Sequence, residues 1–282
     1  MTFNQITIIG TGLIGASFAL AARTAGFAGK IIGCDREHVL MKALDAGAID
    51  EMVASPDQAV KGSDLVVLAT PVGSIIDLLE RVGPLLARDA LITDVGSTKL
   101  EIMARAREVF GDDVTRRFVP GHPMAGKENS GVEHADDQLF RDAVWLITPY
   151  QGQLLEEPKQ KAFLELLQKI GAVIVNFDSR EHDRVCALVS HLPQMMSTAF
   201  ASVLIDALGD DPQAGAIGGR ALREMTRIAR SPYSMWRDIA LTNTKNIQDA
   251  LLRLEQKLAH IRENLRTREL EEEFERAHQL RK

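Results

Sequence analysis

The chain has 282 residues, 45% of them apolar and 26% charged, which is the balance of a globular protein with one large or two ordinary domains. Its 33 Lys and Arg against 39 Asp and Glu leave a formal charge of −6, which excludes a general attraction to nucleic acid or anionic membrane. Any anion bound must therefore meet a local basic or backbone site. Cys34 and Cys186 are too few and too far apart for a disulfide framework or a metal site, and no metal is expected. No apolar run approaches the ~20 residues of a membrane span. Residues 1–10 carry no basic segment before their apolar stretch, so no leader is expected and the expected location is cytoplasmic.

In chain order, 5–9 is a β-branched strand ending in glycine, and 13–25 reads as helix closed by Gly26. Strands are predicted at 30–34, 65–69 and 90–94, with helices at 37–46, 74–81 and 99–110. A brief extended piece at 118–119 precedes a polar loop. Two further strands, 144–148 and 172–177, flank a helix at 158–170. Apolar strands alternating with helices predict an α/β fold with a mostly parallel sheet covered on both faces. From 179 onward only helices are predicted: 182–208 with a kink at Pro193, 215–229, and one long helix over 243–274. In the last of these Ile247, Leu251, Leu254, Leu258, Ile261 and Leu265 recur at spacings of four and three, a stripe suited to a helix shared with a second subunit.

Gly10-Thr11-Gly12-Leu13-Ile14-Gly15 fits G-x-G-x-x-G directly after a strand and at the opening of a helix. In that context Gly10 permits the tight turn and Gly12 lets a pyrophosphate approach the backbone. Gly15 lets the helix pack on the strand, while the amides of the turn, with Leu13 and Ile14, face the anion. Asp35 ends the second strand, 20 residues after Gly15, where a carboxylate accepts the adenosine ribose hydroxyls and repels a 2′-phosphate. That favours NAD over NADP, although Arg36 beside it is a cation able to meet such a phosphate. Thr70 and Pro71 after the third strand and Ser97 after the fourth lie at the sheet edge where ligands bind. The expected architecture is a Rossmann-type doubly wound sheet followed by an all-helical domain.

His122 stands between Gly121 and Pro123 in a stretch with no apolar face to bury an imidazole as core. The charged loop at 127–137 that follows is unusual for a connection without a task. With GTGLIGAS at 10–17, ATPV at 69–72, DVGSTK at 94–99 and GHPMAG at 121–126, the sequence resembles the prephenate/arogenate dehydrogenases of tyrosine biosynthesis, the TyrA family. SGVEHA at 130–135, SHLP at 190–193, TRIA at 226–229 and MWRDI at 235–239 follow in the family's order.

The resemblance implies oxidative decarboxylation of prephenate to 4-hydroxyphenylpyruvate, with hydride passing to NAD. Arogenate is the alternative substrate, and a non-catalytic NAD-binding sensor is the rival outside enzymes. His122 matches the family's catalytic histidine, which bonds the substrate hydroxyl and takes its proton, and Ser97 the serine that orients it. Arg227 matches the arginine that grips a substrate carboxylate, and His191 a second substrate-side histidine. Glu128 and Trp236 match positions at the active-site entrance. Gln194 stands where many relatives carry a further histidine, which bears on prephenate against arogenate. His38, His134, His182, His260 and His278 are read as solvated surface residues. The expected division is a NAD-binding domain at 1–178 and a helical substrate-binding domain at 179–282, through which the chain forms a homodimer.

Overall fold

Short β-branched runs bury both faces only when they pair edge to edge beneath helices. In the computed structural model, which describes residues 3–127, 129–209 and 217–281, six such runs form one parallel sheet. They are β1 (Gln5–Ile9), β2 (Lys30–Cys34), β3 (Glu51–Met52), β4 (Leu65–Leu68), β5 (Leu91–Asp94) and β6 (Phe118–Val119), in spatial order β3-β2-β1-β4-β5-β6. Ile6 sits opposite Ile31 on one side and Leu65 on the other, which sets the register at the centre. The connections are α1 (Leu13–Thr24), α2 (Glu37–Asp45), α3 (Pro56–Ala59), α4 (Val72–Val82), α5 (Leu100–Phe110) and α6 (Val114–Arg117). Strand order reverses between β1 and β4, so their carboxyl ends open the crevice where such sheets bind ligands.

The expected strands near 144 and 172 belong to a separate sheet. In it β7 (Gly121–Pro123) runs antiparallel to β8 (Val144–Ile147), and β8 runs parallel to β9 (Val173–Asn176), with α7 (Pro158–Lys169) between the last two. His122, placed in a loop by its sequence, is thus a strand residue opposite Leu146. Three residues that include Gly and Pro carry no alternating signal, so only pairing with β8 reveals the strand. Trp145 anchors this sheet, its ring 5.2 Å from Phe140 and 6.0 Å from Phe18. A Cβ on Gly121 would lie 2.8 Å from the Trp145 indole nitrogen and 2.9 Å from the Asp94 carbonyl, so only glycine lets β7 approach this closely.

Beyond β9 the described residues are helical: α8 (Ser179–Cys186), a π-helical turn (Ala187–His191), α9 (Leu192–Leu208), α10 (Gly219–Thr226), a 3-10 turn (Arg227–Arg230), α11 (Tyr233–Thr242), α12 (Thr244–Glu263) and α13 (Arg268–His278). Asp178 starts the series by accepting the amides of Arg180 and Glu181. The kink expected at Pro193 is a widened turn just ahead of it, which absorbs the missing N–H and the crowding of the ring against the preceding turn. Gly215 and Ala216, the start of one expected helix, lie outside the described residues. The single long helix expected over 243–274 is broken at Asn264, whose side chain turns back to the His260 carbonyl at 2.9 Å. After the break Lys257 on α12 meets Glu273 on α13 at 2.7 Å. Of the apolar stripe Ile247 is buried, whereas Leu258 and Leu265 are exposed.

The continuous helix Ser179–Leu208 is long and apolar enough to cross a membrane by length and composition, which corrects the expectation from run length. Polar residues such as Ser190, Gln194 and Ser197 interrupt its apolar run without bringing down its average.

Polar joints tie the helical part to the sheet. The Asp183 carboxylate accepts the amides of Lys99 at 2.8 Å and Leu100 at 3.0 Å, at the start of α5. Asp238 accepts the amide of Gly73 at 3.0 Å, at the start of α4, and the hydroxyls of Thr98 and Thr242 meet at 2.7 Å. Neither helix has a side-chain cap of its own at its N-cap residue, so these aspartates from the distant helical segment satisfy amides that would otherwise be orphaned.

Beneath this joint Lys99 and Asp94 form a fully buried ion pair. Asp94 also accepts the amides of Gly96 and Gly121, while Lys99 donates to the Gly121 carbonyl at 2.6 Å. Lys99→Met strands the Asp94 carboxylate without its cation and is expected to cost about 3–5 kcal/mol of unfolding free energy. Urea denaturation measures it; a loss below about 1 kcal/mol would show that the backbone donors satisfy Asp94 alone.

Candidate active site

A cavity of about 1020 Å³ opens over the carboxyl ends of the parallel strands. Gly10, Gly12, Leu13, Ile14, Asp35, Arg36, Thr70 and Pro71 all line it. Gly15 does not; it lies behind the wall, where a Cβ would come 2.0 Å from the Gly10 carbonyl oxygen. Gly10 has a φ of +95°, and a Cβ there would meet the Ala69 carbonyl oxygen at 2.4 Å. At Gly12 a Cβ would meet nothing within 4 Å, so that backbone faces open space.

The first turn of α1 has no side-chain cap, which leaves its amides for an anion in the cavity. The hydroxyls of Thr11 and Thr70 are buried without a partner among the described residues. Asp35 is held by the amides of Thr11 at 2.9 Å and Arg36 at 2.7 Å, its carboxylate at the end of β2. A bare glycine backbone, open helix amides and a fixed carboxylate are what a dinucleotide's pyrophosphate and ribose require, so the residues fit such a cofactor. His38 and Lys42 on α2 join the same wall, where a sequence reading centred on the glycine turn did not place them.

The cavity continues to Ser97, His122, Met124, Lys127, Ser190 and Trp236. His122 is only 8% exposed. Its Nδ1 lies 2.9 Å from Nε2 of His182, and Nδ1 of His182 lies 2.8 Å from the Asp183 carboxylate. His182, expected to be solvated, is in fact fully buried. Burial first, then electrostatic repulsion from the neighbouring His182, Lys99 and His191 against a second proton, push the His122 pKa well below the ordinary 6.5, so the ring is neutral at physiological pH. The Cys186 thiol lies 3.7 Å from Nε2 of His182, and burial pushes its pKa up to about 12, so it stays protonated. The ligating atoms of His122, His182 and Cys186 fall within 4.8 Å of one another, a cluster that these hydrogen bonds account for.

The remaining expected site residues are placed less uniformly. Ser97 is half-buried in the cavity wall and makes no hydrogen bond among the described residues; the partner of His122 is His182. Trp236 lines the cavity, and His191 stands edge-on behind it at 5.9 Å. His191 is buried outside the wall, next to the Asn243 amide at 3.2 Å, and burial lowers its pKa to about 4. Its Nε2 and the Trp236 indole nitrogen are buried without partners among the described residues. Gln194 is also buried outside the wall, donating to the Ile228 carbonyl at 2.9 Å and so bracing α9 against the 3-10 turn. Arg227 is exposed on that turn, four residues before the wall residue Ser231. Glu128 lies outside the described residues.

Fold and cleft together define a dinucleotide-binding protein with a helical second part that completes the cavity wall. Comparison with known proteins narrows this class. Residues 18–176 match the family profile for the prephenate dehydrogenase nucleotide-binding domain, and residues 178–279 that for the prephenate dehydrogenase dimerization domain. The prephenate dehydrogenase of Lactococcus lactis is 35% identical over 244 residues, covering 85% of this chain and 65% of that one. That of Bacillus subtilis is 35% identical over 248 residues, covering 87% and 66%. This chain therefore spans just under two thirds of the length of those two relatives. The crystal structure of prephenate dehydrogenase from A. aeolicus in complex with hydroxyphenyl propionate and NAD+ superposes with a TM-score of 0.87 at 33% identity, over 100% of this chain and 97% of that one. The chain belongs to the prephenate dehydrogenase family.

Two glycine variants separate the structural from the binding role of the first turn. Gly15→Ala drives a Cβ into the Gly10 carbonyl and is expected to lower the melting temperature as well as dinucleotide affinity. Gly12→Ala is expected to melt like wild type yet bind NADH at least about 10-fold more weakly, because the methyl occupies the approach to the anion. Melting curves and fluorescence titration check both; unchanged affinity in Gly12→Ala would place the pyrophosphate elsewhere.

Proposed function

We propose that the protein is an NAD-dependent prephenate dehydrogenase that converts prephenate to 4-hydroxyphenylpyruvate and CO2. The observation that carries this reading is a neutral, buried histidine, His122, in the wall of the same cavity as the uncapped glycine turn. Bound NAD supplies the hydride acceptor. Gly10, Gly12, Leu13 and Ile14 hold its pyrophosphate, Asp35 and Arg36 its adenosine end, and Thr70 and Pro71 its inner edge, with Gly15 setting the close packing behind.

His122 takes the proton of the substrate's ring hydroxyl as hydride leaves the carbinol carbon. Loss of the ring carboxylate as CO2 returns its electron pair to the ring, which becomes aromatic, and the proton returns to the phenolate oxygen. Hydride and CO2 are thus the net losses from substrate. A base for this step must be neutral at working pH, and burial keeps His122 so. Ser97 in the wall orients the hydroxyl, and Trp236, backed by His191, forms the apolar side of the ring site. Glu128 is assigned to the entrance.

Arg227 is assigned to a substrate carboxylate, supported by its place on the segment leading into wall residues Ser231 and Pro232. Gln194, with its amide committed to a backbone carbonyl outside the cavity, offers no support for arogenate over prephenate.

The reading extends to a homodimer through the helical part, in the cytoplasm. The only buried apolar residues described beyond 178 are Cys186, Ala187, Ile239, Ile247 and Ala250, too small a core for so many helices. Val203, Ile205 and Leu241 are each more than 60% exposed, which is the surface a second copy would cover. Sedimentation is expected to give a dimer; a monomer at micromolar concentration would leave this apolar face unexplained.

The deciding experiment follows NADH formation with prephenate and with arogenate, in wild type and His122→Asn. Prephenate is expected to be the faster substrate, and the variant to lose about 100- to 10,000-fold in kcat with NAD binding retained. No turnover of either substrate with NAD bound would sink the assignment. The acid limb of kcat/KM is expected below pH 6.5, because the groups facing His122 (His182, Lys99, His191) and its burial all favour the neutral ring. A limb above that value would assign the base to another group.

A further inference from the structure

His182 and Asp183 lie outside every motif that points to the reaction, yet they make the only hydrogen-bonded connection of the His122 ring among the described residues. Both are completely buried, so bulk solvent does not reach them. Donor and acceptor roles follow from one end. The Asp183 carboxylate only accepts, so Nδ1 of His182 carries a proton and donates it. In neutral His182 Nε2 is then a bare acceptor, and across 2.9 Å it receives the Nδ1–H of His122. The remaining nitrogen of His122, Nε2, is left with its lone pair on the side of the ring that the cavity reaches.

We infer that His182 and Asp183 are positioning residues that hold His122 in the tautomer whose Nε2 can accept a proton from a ligand in the cavity. When Nε2 takes that proton, His122 becomes an imidazolium that still donates through Nδ1, and the buried His182–Asp183 pair faces the new charge. No proton leaves His122 toward His182. The same carboxylate accepts the first amides of α5, directly after the Ser97 loop. One anion therefore orients the base and sets the loop opposite it. For catalysis the inference rests on the dehydrogenase reading above, but the tautomer of His122 does not.

Two measurements test it. Nitrogen-labelled histidine in the full-length wild-type chain allows each ring nitrogen to be scored as protonated or bare by long-range proton–nitrogen NMR, with His122→Asn and His182→Asn for assignment. His122 is expected protonated at Nδ1 and bare at Nε2; the opposite pattern overturns the proposal whatever the enzyme's substrate. In steady-state kinetics His182→Leu is expected to lower kcat about 100-fold with little change in KM, since it removes the acceptor and not the binding surface. His182→Gln, whose amide oxygen can accept the Nδ1–H, is expected to recover about 10-fold of that loss. Equal losses in both variants, or a change confined to KM, would make His182 merely structural. Should His182→Leu fail to fold, the wild-type tautomer still decides. A wild type that leaves prephenate unchanged would refute the dehydrogenase reading and leave the tautomer test standing.

Discussion

The Asp183 carboxylate is the interaction on which the rest of the molecule depends. An anion removed from water this completely survives only if its lone pairs are filled, and here two backbone amides and one imidazole fill them. The amides belong to the first turn of α5, whose positive end favours a negative charge. The imidazole belongs to the residue just before Asp183 on α8. A helix from beyond the sheets is thereby fixed to the loop that follows β5, and the distance between Ser97 and the helical wall is set.

A second buried pair, Asp94 with Lys99, works one layer below. It takes the amide of Gly121 and supports the carbonyl of the same residue, so the strand bearing His122 is held from the sheet side while His182 holds it from the helix side. Gly121 permits this because any side chain would collide with Trp145 or with the Asp94 carbonyl. His122 is therefore rigid through packing and charge together, whereas the glycine-turn end of the cavity is defined by the absence of side chains at Gly10 and Gly12. Asp238 closes the other flank by capping α4 at Gly73, where even a methyl would lie 2.9 Å from its carboxylate.

Much of this was legible in the chain itself. The glycine turn lies between β1 and α1, in the wall of the cavity, and Asp35 stands at the end of β2 beside it. Ser97 and Trp236 share that cavity with His122. His182, which the sequence reading places on the solvated surface, is buried against His122. The available signal was its neighbour: an acidic residue directly after a histidine, early in a helix whose first turn Asp178 already caps, has no local amide left to satisfy. Arg227, His191 and Gln194 were legible as motif members, but their motifs did not say that the chain would place them outside the wall of this cavity.

The sequence by itself determined the alternation of strand and helix and the glycine turn between β1 and α1, because each depends on neighbours within a few residues. Only the tertiary structure decided that 121–123 would pair as a strand of a second sheet. It also supplied the partner of the His122 ring from 60 residues away. The physical reason is that the deciding contacts are distant ones: a strand forms where its pairing partner is brought to it, and a buried acidic side chain near a helix start must find donors wherever the fold brings them. No local pattern records which donors those will be.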